Sequence, residues 1–378
     1  MRRILLVGGG SGGHIFPLKA VARELIDSSR EKGFDLELMA LAENGKWRND
    51  FESIGVKFRK IRSPKLRRVE GGRFDPLAFL NVPLALLQSL WVLFIFMPDL
   101  VFSKGGFAST IPSLVAKLYF IPLFIHESDA VPGLANRFLA GLASRIFISF
   151  DDSAKFFNRR NTVFSGNPVR KDLIGPDKNQ AAGHFNLSLD RKTVLFIGGS
   201  QGAEPINDLV LASLVELTGD FQVIHQTGDR NFEKISQEAE KIKTEGREDY
   251  GRHVEKNYRV YGFLNEEDLK NAYTLADIVV ARAGANLLAE ISSVGKPAIV
   301  IPYEYSAGGH QKANAAEFAR FGAVVLEENN LKPHILINQI RHLTDPETAA
   351  AVSRKIKQFV KPDAASIITE ECLSAIST

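Results

Sequence analysis

Residues 4–14 read ILLVGGGSGGH and residues 194–203 read VLFIGGSQGA. Each is a short aliphatic run that breaks into glycines and then into a helical pattern, the signature of a buried strand, a tight turn and a helix N-terminus. The unit occurs twice, 190 residues apart (194 − 4). Further aliphatic runs at 36–41, 100–102, 122–125 and 145–149 follow the first copy, and runs at 221–225, 259–261, 277–281, 298–301 and 323–326 follow the second. Strands alternating with helical patterns predict parallel sheets joined by crossover helices. The expected fold is α/β, two Rossmann-like doubly wound parallel-sheet domains, with ligands at the carboxyl ends of the strands and an interdomain cleft where the two sets of loops face each other. The polar, Pro- and Gly-bearing stretch 165–192 reads as the linker between them.

A chain of 378 residues fits two domains, each large enough for its own core. Hydrophobic residues at 45% and charged residues at 24% exclude a disordered or collagen-like chain. The 47 Lys and Arg against 44 Asp and Glu leave +3, too weak a bias for a nucleic-acid partner. The single cysteine, Cys372, excludes an internal disulfide and a thiolate metal cage. The apolar run 4–7 is too short for the core of a signal peptide, so export is not expected.

Residues 77–97 carry no charge, and about 20 apolar residues suffice to span a bilayer. A span there would separate the strands near 36 and 100, which the βαβ pattern needs in one sheet. The expectation is instead a helix starting at Pro83, with Leu84, Leu87, Leu90, Trp91, Phe94 and Ile95 on one apolar side. Part of that side covers the sheet. The rest, with Trp91, meets an anionic membrane surface beside Arg59, Lys60, Arg62, Lys65, Arg67, Arg68 and Arg73.

The glycine loops carry the chemistry. Gly8, Gly10 and Gly13 formally satisfy GxGxxG, but a nicotinamide site also wants an acidic residue at the end of the second strand, where only Glu43 follows. His14 stands just past the glycines, in the first turn of a helix whose Ile15, Leu18, Val21, Ala22 and Leu25 share one side. The positive end of the helix dipole disfavours its imidazolium and leaves a neutral ring able to take a proton; the alternative is a capping histidine. GGSQGA at 198–203 lacks the lysine of a P-loop, so Ser200 and the free backbone N–H groups read as a diphosphate site without a metal. SKGGFAST at 103–110 and ARAGAN at 281–286, which ends on Ala285 and Asn286, repeat the device. In the helix that follows, Leu287, Leu288, Ile291 and Val294 form the apolar face, and Glu290 on its flank is placed to accept hydrogen bonds from ribose hydroxyls.

Together the strings GGGSGGHIFP, KGGFAS, HESDAVPGLANR, GNPVR, GGSQGA, HQTG, ARAGANLLAE and GGHQKANA, in that order over residues 1–327, resemble the MurG family. These are bacterial transferases that add N-acetylglucosamine to the lipid-linked muramyl-pentapeptide in peptidoglycan synthesis. The resemblance implies a GT-B type glycosyltransferase fold. Residues 1–165, with a helix within 350–378 returning to them, would take the lipid acceptor, and residues 166–349 would take UDP-GlcNAc. By motif, Ser200 matches a diphosphate ligand, Arg170 its cationic partner, Leu264 the position whose backbone reads the uracil, Glu290 the ribose ligand and Gln311 a contact to the sugar hydroxyls. Ser11, Gly12, Gly13 and His14 match the acceptor-side loop near the reacting centre. SGGH and HESD stand where the family pattern has TGGH and HEQN. Ser11 keeps the hydroxyl, whereas Ser128 and Asp129 replace an amide pair, and His310 stands where some relatives have glutamine.

The expected reaction is one in-line displacement that inverts the anomeric carbon, with His14 as base and with no metal and no cofactor. The charge of the departing UDP falls to Arg170 and the 198–203 loop; Asp151 and Asp152 do not form a DxD motif. The expected location is the cytoplasmic face of the plasma membrane, as a peripheral protein. The rivals are another UDP-sugar glycolipid transferase or a UDP-sugar epimerase on the same plan, and, less favoured, a non-catalytic membrane adaptor.

Overall fold

The computed structural model describes residues 1–378 except 11, 34, 64–75, 171, 172, 176, 200, 201 and 378, and leaves the side chains of 76–80 undescribed. The chain divides into two compact units, Met1–Arg170 with Lys361–Thr378, and Lys171–Val360.

In the first unit, the strands are β1 (Arg2–Gly8), β2 (Leu36–Ala42), β3 (Lys57–Lys60), β4 (Leu100–Ser103), β5 (Leu123–Glu127), β6 (Arg145–Ile148) and β7 (Thr162–Phe164). Among the described residues they form one seven-stranded sheet in the order β3-β2-β1-β4-β5-β6-β7, with every pairing parallel. The second unit has β8 (Thr193–Ile197), β9 (Gln222–Gln226), β10 (Tyr258–Tyr261), β11 (Ile278–Arg282), β12 (Ala298–Ile301) and β13 (Val324–Val325), in the order β10-β9-β8-β11-β12-β13, again all parallel. Both sheets reverse their winding beside the strand that precedes the glycine loop, between β1 and β4 and between β8 and β11. That switch point is where doubly wound sheets open a crevice for ligands.

Strands covered on both faces read as unbroken aliphatic runs, because each successive side chain enters a core. Ile4 and Leu6 of β1 pack with Leu18, Val21 and Leu25 of helix Gly12–Glu31 and with Ile368, Cys372 and Leu373 of helix Ala364–Ser377. Leu5 and Val7 face the other way, onto Leu93, Ala108, Ile111 and Val115. In the second unit, Val194 and Phe196 of β8 pack with Ile206, Val210 and Leu214 of helix Glu204–Asp220.

Three expectations are corrected. The stretch 165–192 is more than a linker, since it carries helix Lys178–Phe185, N-capped by Asp177 and anchored by the buried Phe185. The uncharged helix spans Pro76–Phe96 rather than starting at Pro83, which lies inside it. Pro83 faces solvent there, where the carbonyl it deprives of a donor can be hydrated. The side of this helix that covers the sheet is Ala85, Ser89, Leu93 and Phe96, while Leu84, Leu87, Trp91, Phe94 and Ile95 are exposed and Leu90 is half-buried. Small residues at 85 and 89 allow the helix axis close to its neighbours, so the larger apolar side chains are turned out.

Candidate functional site

In the first unit, the loops after β1, β4 and β5 leave the same edge of the sheet. His14 lies in the first turn of helix Gly12–Glu31, whose buried face is the predicted Ile15, Leu18, Val21, Ala22 and Leu25. Its ring is held between two backbones. A Cβ on Gly9 would lie 2.8 Å from Nδ1, and one on Gly106 would lie 3.2 Å from Nε2. Gly106 has φ +86° and ψ 162°, open almost only to glycine. Gly12 and Gly13 open the helix, and Ser11 lies outside the described residues. Arg170, the last residue of this part of the unit, sets its guanidinium 4.8 Å over the ring of Phe16.

Beside this loop lies a buried polar cluster that the sequence reading passed over. Lys104 is 3% exposed. Its Nζ meets Nδ1 of His126 at 2.6 Å, Asn167 Oδ1 at 3.5 Å and the hydroxyl of Ser128. Burial lowers the Lys104 pKa to about 7, against the opposing pull of the Glu127 and Asp129 charges. Burial, and then the Lys104 charge, hold His126 well below the ordinary histidine range. The neutral ring accepts at Nδ1 and donates from Nε2 to the Gly166 carbonyl at 3.0 Å. Glu127 accepts from the backbone N–H groups of Asp129 (2.9 Å) and Gly133 (3.1 Å) and from Asn136 Nδ2 (2.9 Å). Burial, and then the Asp129 charge, raise its pKa despite these donors. Buried titratable groups with displaced pKa values at strand ends mark candidate functional sites. The residues lie in KGGFAS, HESD, PGLANR and GNPVR, so the available signal was the motifs themselves.

The second unit gathers its own candidate residues at the ends of β8 to β12. The 198–203 loop turns through Gly199 (φ +86°) and Gly202 (φ +79°) before helix Glu204–Asp220; Ser200 lies outside the described residues. A Cβ on Gly202 would lie 2.2 Å from the Thr227 carbonyl, so the turn rests directly on the HQTG strand end. His225 of that motif is fully buried, and burial lowers its pKa to about 3. Asn207 Nδ2 donates to the Thr227 carbonyl at 3.1 Å, so its Oδ1 faces His225 Nε2 at 3.0 Å. The neutral ring therefore donates from Nε2 and accepts at Nδ1 from Tyr258 Oη at 2.8 Å.

Leu264 is buried, and its N–H donates to Gln226 Oε1 at 3.2 Å. Ala285 and Asn286 open helix Ala285–Val294 after the N-cap Gly284. Glu290, read as flanking, is on the buried side at 7% exposure and accepts from Tyr273 Oη at 3.3 Å. Gln311, in helix His310–Ala319, accepts from the Tyr303 N–H at 2.9 Å. Asn314 donates to the Ala283 carbonyl at 3.1 Å, tying this helix to the ARAGAN loop. Arg282 pairs with Glu328 at 2.6 Å and donates to the Ile301 carbonyl at 3.1 Å, which braces the ends of β11 and β12. Each unit thus gathers at one sheet edge those of its sequence-predicted residues that are described. The first offers a histidine in a glycine wedge beside a buried Lys–His–Glu cluster, and the second a helix N-terminus able to meet an anion, a buried carboxylate and the backbone groups of tight glycine turns.

Residues 4–148 match the glycosyltransferase family 28 N-terminal domain and residues 193–368 match the glycosyltransferase family 28 C-terminal domain. The chain is 34% identical to a UDP-N-acetylglucosamine–N-acetylmuramyl-(pentapeptide) pyrophosphoryl-undecaprenol N-acetylglucosamine transferase of Geobacter metallireducens, over 99% of this chain and 98% of that protein. It is equally similar, at 34%, to the protein of that name from Halothermothrix orenii, over 95% of each. Its fold matches the crystal structure of Acinetobacter baumannii MurG, with TM-score 0.69 and 22% identity over 99% of this chain and 100% of that one. It also matches the UDP-GlcNAc 2-epimerase from Neisseria meningitidis, with TM-score 0.66 and 17% identity over 98% of this chain and 100% of that one. The fold is therefore shared between transferases and epimerases, and the sequence separates them.

Proposed function

Since the chain belongs to glycosyltransferase family 28, we propose that it transfers N-acetylglucosamine from UDP-GlcNAc to the muramyl 4-hydroxyl of a lipid-linked muramyl-pentapeptide, inverting the anomeric carbon. The observation that carries this reading is the 34% identity, over 99% of the chain, to a transferase named for that reaction. The first unit takes the acceptor, in this reading, and the second the donor.

His14 removes the proton of the acceptor hydroxyl, whose oxygen then forms the bond to the anomeric carbon while the bond to the UDP oxygen breaks. The leaving diphosphate carries away the electron pair, and its charge is met by Arg170 and by the 198–203 loop with Ser200. Glu290 accepts from the ribose hydroxyls, Leu264 reads the uracil, and Ala285, Asn286 and Gln311 hold the sugar side. Ser11, Gly12 and Gly13 shape the acceptor loop. This scheme uses neither metal nor cofactor, because fixed dipoles and a guanidinium neutralise the charge that forms.

The acceptor is lipid-linked, and the first unit presents an apolar surface of Leu87, Trp91, Phe94 and Ile95 together with Leu118 and Phe120, the last 93% exposed. Arg59, Lys60 and Arg62 are exposed on the adjoining strand and loop, whereas Lys65, Arg67, Arg68 and Arg73 lie outside the described residues. Among the described residues no helix is long and apolar enough to cross a membrane. We place this surface on the anionic leaflet at the cytoplasmic face of the plasma membrane, as a peripheral contact.

The test is incubation of radiolabelled UDP-GlcNAc with the lipid-linked muramyl-pentapeptide. Label in the lipid phase, dependent on that acceptor, is expected. Epimerisation of the donor without transfer would favour the epimerase reading instead.

A further inference from the structure

The HQTG motif has so far been given only a packing role, yet one of its side chains has a placement that packing does not require. Gln226 ends β9, which lies in the sheet between β8 and β10. Its side chain therefore stands between the loop after β8, which carries the diphosphate turn, and the loop after β10, which carries Leu264. The carboxamide is 4% exposed and reaches both. Nε2 donates to the Gly199 carbonyl at 3.3 Å, and Oε1 accepts from the Leu264 N–H at 3.2 Å. The Gly199 carbonyl also accepts from the Gly202 N–H at 3.1 Å, so the bond from Gln226 lands on the closure of the turn itself. The neighbouring Thr227 N–H donates to the Tyr261 carbonyl at 2.9 Å, and the Gly228 N–H to the Gly262 carbonyl at 2.9 Å, which ties the same strand end to the β10 loop by backbone bonds. On the β8 side, the Gly198 N–H reaches the Gln226 carbonyl only at 3.5 Å. The side chain thus adds a bond to the turn where the backbone pairing is long. A carboxamide can donate to a carbonyl and accept from an N–H in one plane without carrying charge.

We propose that Gln226 is a positioning residue of the donor site, one carboxamide that ties the base-reading loop to the diphosphate turn so that the two halves of a uridine diphosphate are bound as a unit. The inference rests on the donor reading of the second unit. Disconnecting the loops leaves each with its own ligating groups but forces the nucleotide to order them separately, so the whole ligand loses more affinity than either part.

Two variants of the full chain test it, with binding of UDP, uridine and inorganic diphosphate measured by calorimetry and folding checked by thermal melting. Gln226→Met keeps the length and removes both bonds. It should bind UDP about tenfold more weakly, the scale of one hydrogen bond, while uridine and inorganic diphosphate each change less than about threefold. Gln226→Glu keeps the acceptor for Leu264 but, once ionised, sets a carboxylate oxygen against the Gly199 carbonyl. Relative to wild type at the same pH, it should bind UDP weakly at pH 8 and recover as the pH falls and the protonated carboxyl regains a donor. Wild-type affinity for UDP in both variants overturns the proposal. So does an equal loss for all three ligands without recovery at low pH, which is the behaviour of a residue that only packs. If the methionine variant does not fold, the pH response of the glutamate variant decides. Failure of the wild-type chain to bind UDP at all would remove the donor reading itself, an outcome distinct from wild-type binding that the variants retain.

Discussion

Replacing Gly106 with alanine tests whether the glycine wedge positions His14. The backbone there has φ +86° and ψ 162°, a region that costs a side-chain-bearing residue about 1–3 kcal/mol. The new Cβ would also stand 3.2 Å from His14 Nε2, 3.3 Å from its Cε1 and 3.3 Å from Gly9 Cα. These distances require the ring or the Gly9 backbone to yield by a few tenths of an ångström. At roughly 2–4 °C per kcal/mol for a unit of this size, the melting temperature should fall by about 2–12 °C. A base moved by part of an ångström should lose about 10-fold to 100-fold in turnover, with UDP binding unchanged. The discriminating experiment is the double variant. With His14→Ala the ring is gone, so adding Gly106→Ala should still lower the melting temperature but should scarcely reduce turnover further. Gly133→Ala is the control, since its φ is −66°, nothing lies within 4 Å of its Cβ, and its N–H to Glu127 is retained. If Gly106→Ala lowers turnover by the same factor with and without the His14 ring, the wedge does not act through the ring and the reasoning fails.

His14→Ala alone should lower turnover by roughly 100-fold to 10,000-fold with near-native stability, and near-full turnover in steady-state assays would reject it as the base. Glu290→Ala should weaken UDP by about 1.5–3 kcal/mol in calorimetry, and unchanged affinity would return Glu290 to a purely structural bond with Tyr273. Because His225 is held to about pKa 3 by burial, the unfolded chain takes up a proton below pH 6.5 that the folded chain refuses. Stability should then fall with decreasing pH by up to about 1.4 kcal/mol per pH unit from this side chain, until the folded ring titrates near pH 3. Urea melts at pH 6.5 and 4.5 should show a shallower pH dependence in His225→Gln. Vesicles containing anionic lipid should bind the protein more than neutral ones, with salt weakening the binding and Glu at positions 59, 60 and 62 reducing it. Sedimentation showing equal binding to both vesicle types would refute that surface.

The central strands were legible because both of their faces are buried. The run at 298–301 coincides with β12 residue for residue, and VLFI at 194–197 falls inside β8. β3 and β7 escaped notice because neither carries an unbroken aliphatic run: in β3 only Phe58 of KFRK is buried, and β7 is three half-buried residues, TVF. The outward side of helix Pro76–Phe96 was not readable, since apolar residues surround the helix and the choice of inner face falls to the small Ala85 and Ser89. The glycine loops of both units were legible, as backbone requirements leave their mark in sequence. The burial of Lys104 was not, because its partners His126 and Asn167 lie 22 and 63 residues further along the chain and only the folded sheet brings them to it.

Helix Ala364–Ser377 gives the molecule a nested synthesis order. Its Ile368, Cys372, Leu373 and Ile376 complete the core around Leu18 and Ala22, while Ser366 reaches Glu24 and Glu371 pairs with Arg145. A nascent chain therefore finishes all of Lys171–Val360 while one wall of the earlier unit is still missing. That half-built unit leaves its apolar strip uncovered for the time needed to make 190 residues (360 − 171 + 1), some tens of seconds at about 5–20 residues per second. A chain that stops before Ala364 would carry every strand of the first unit and still leave Leu18 and Ala22 without the side chains that cover them in the finished protein.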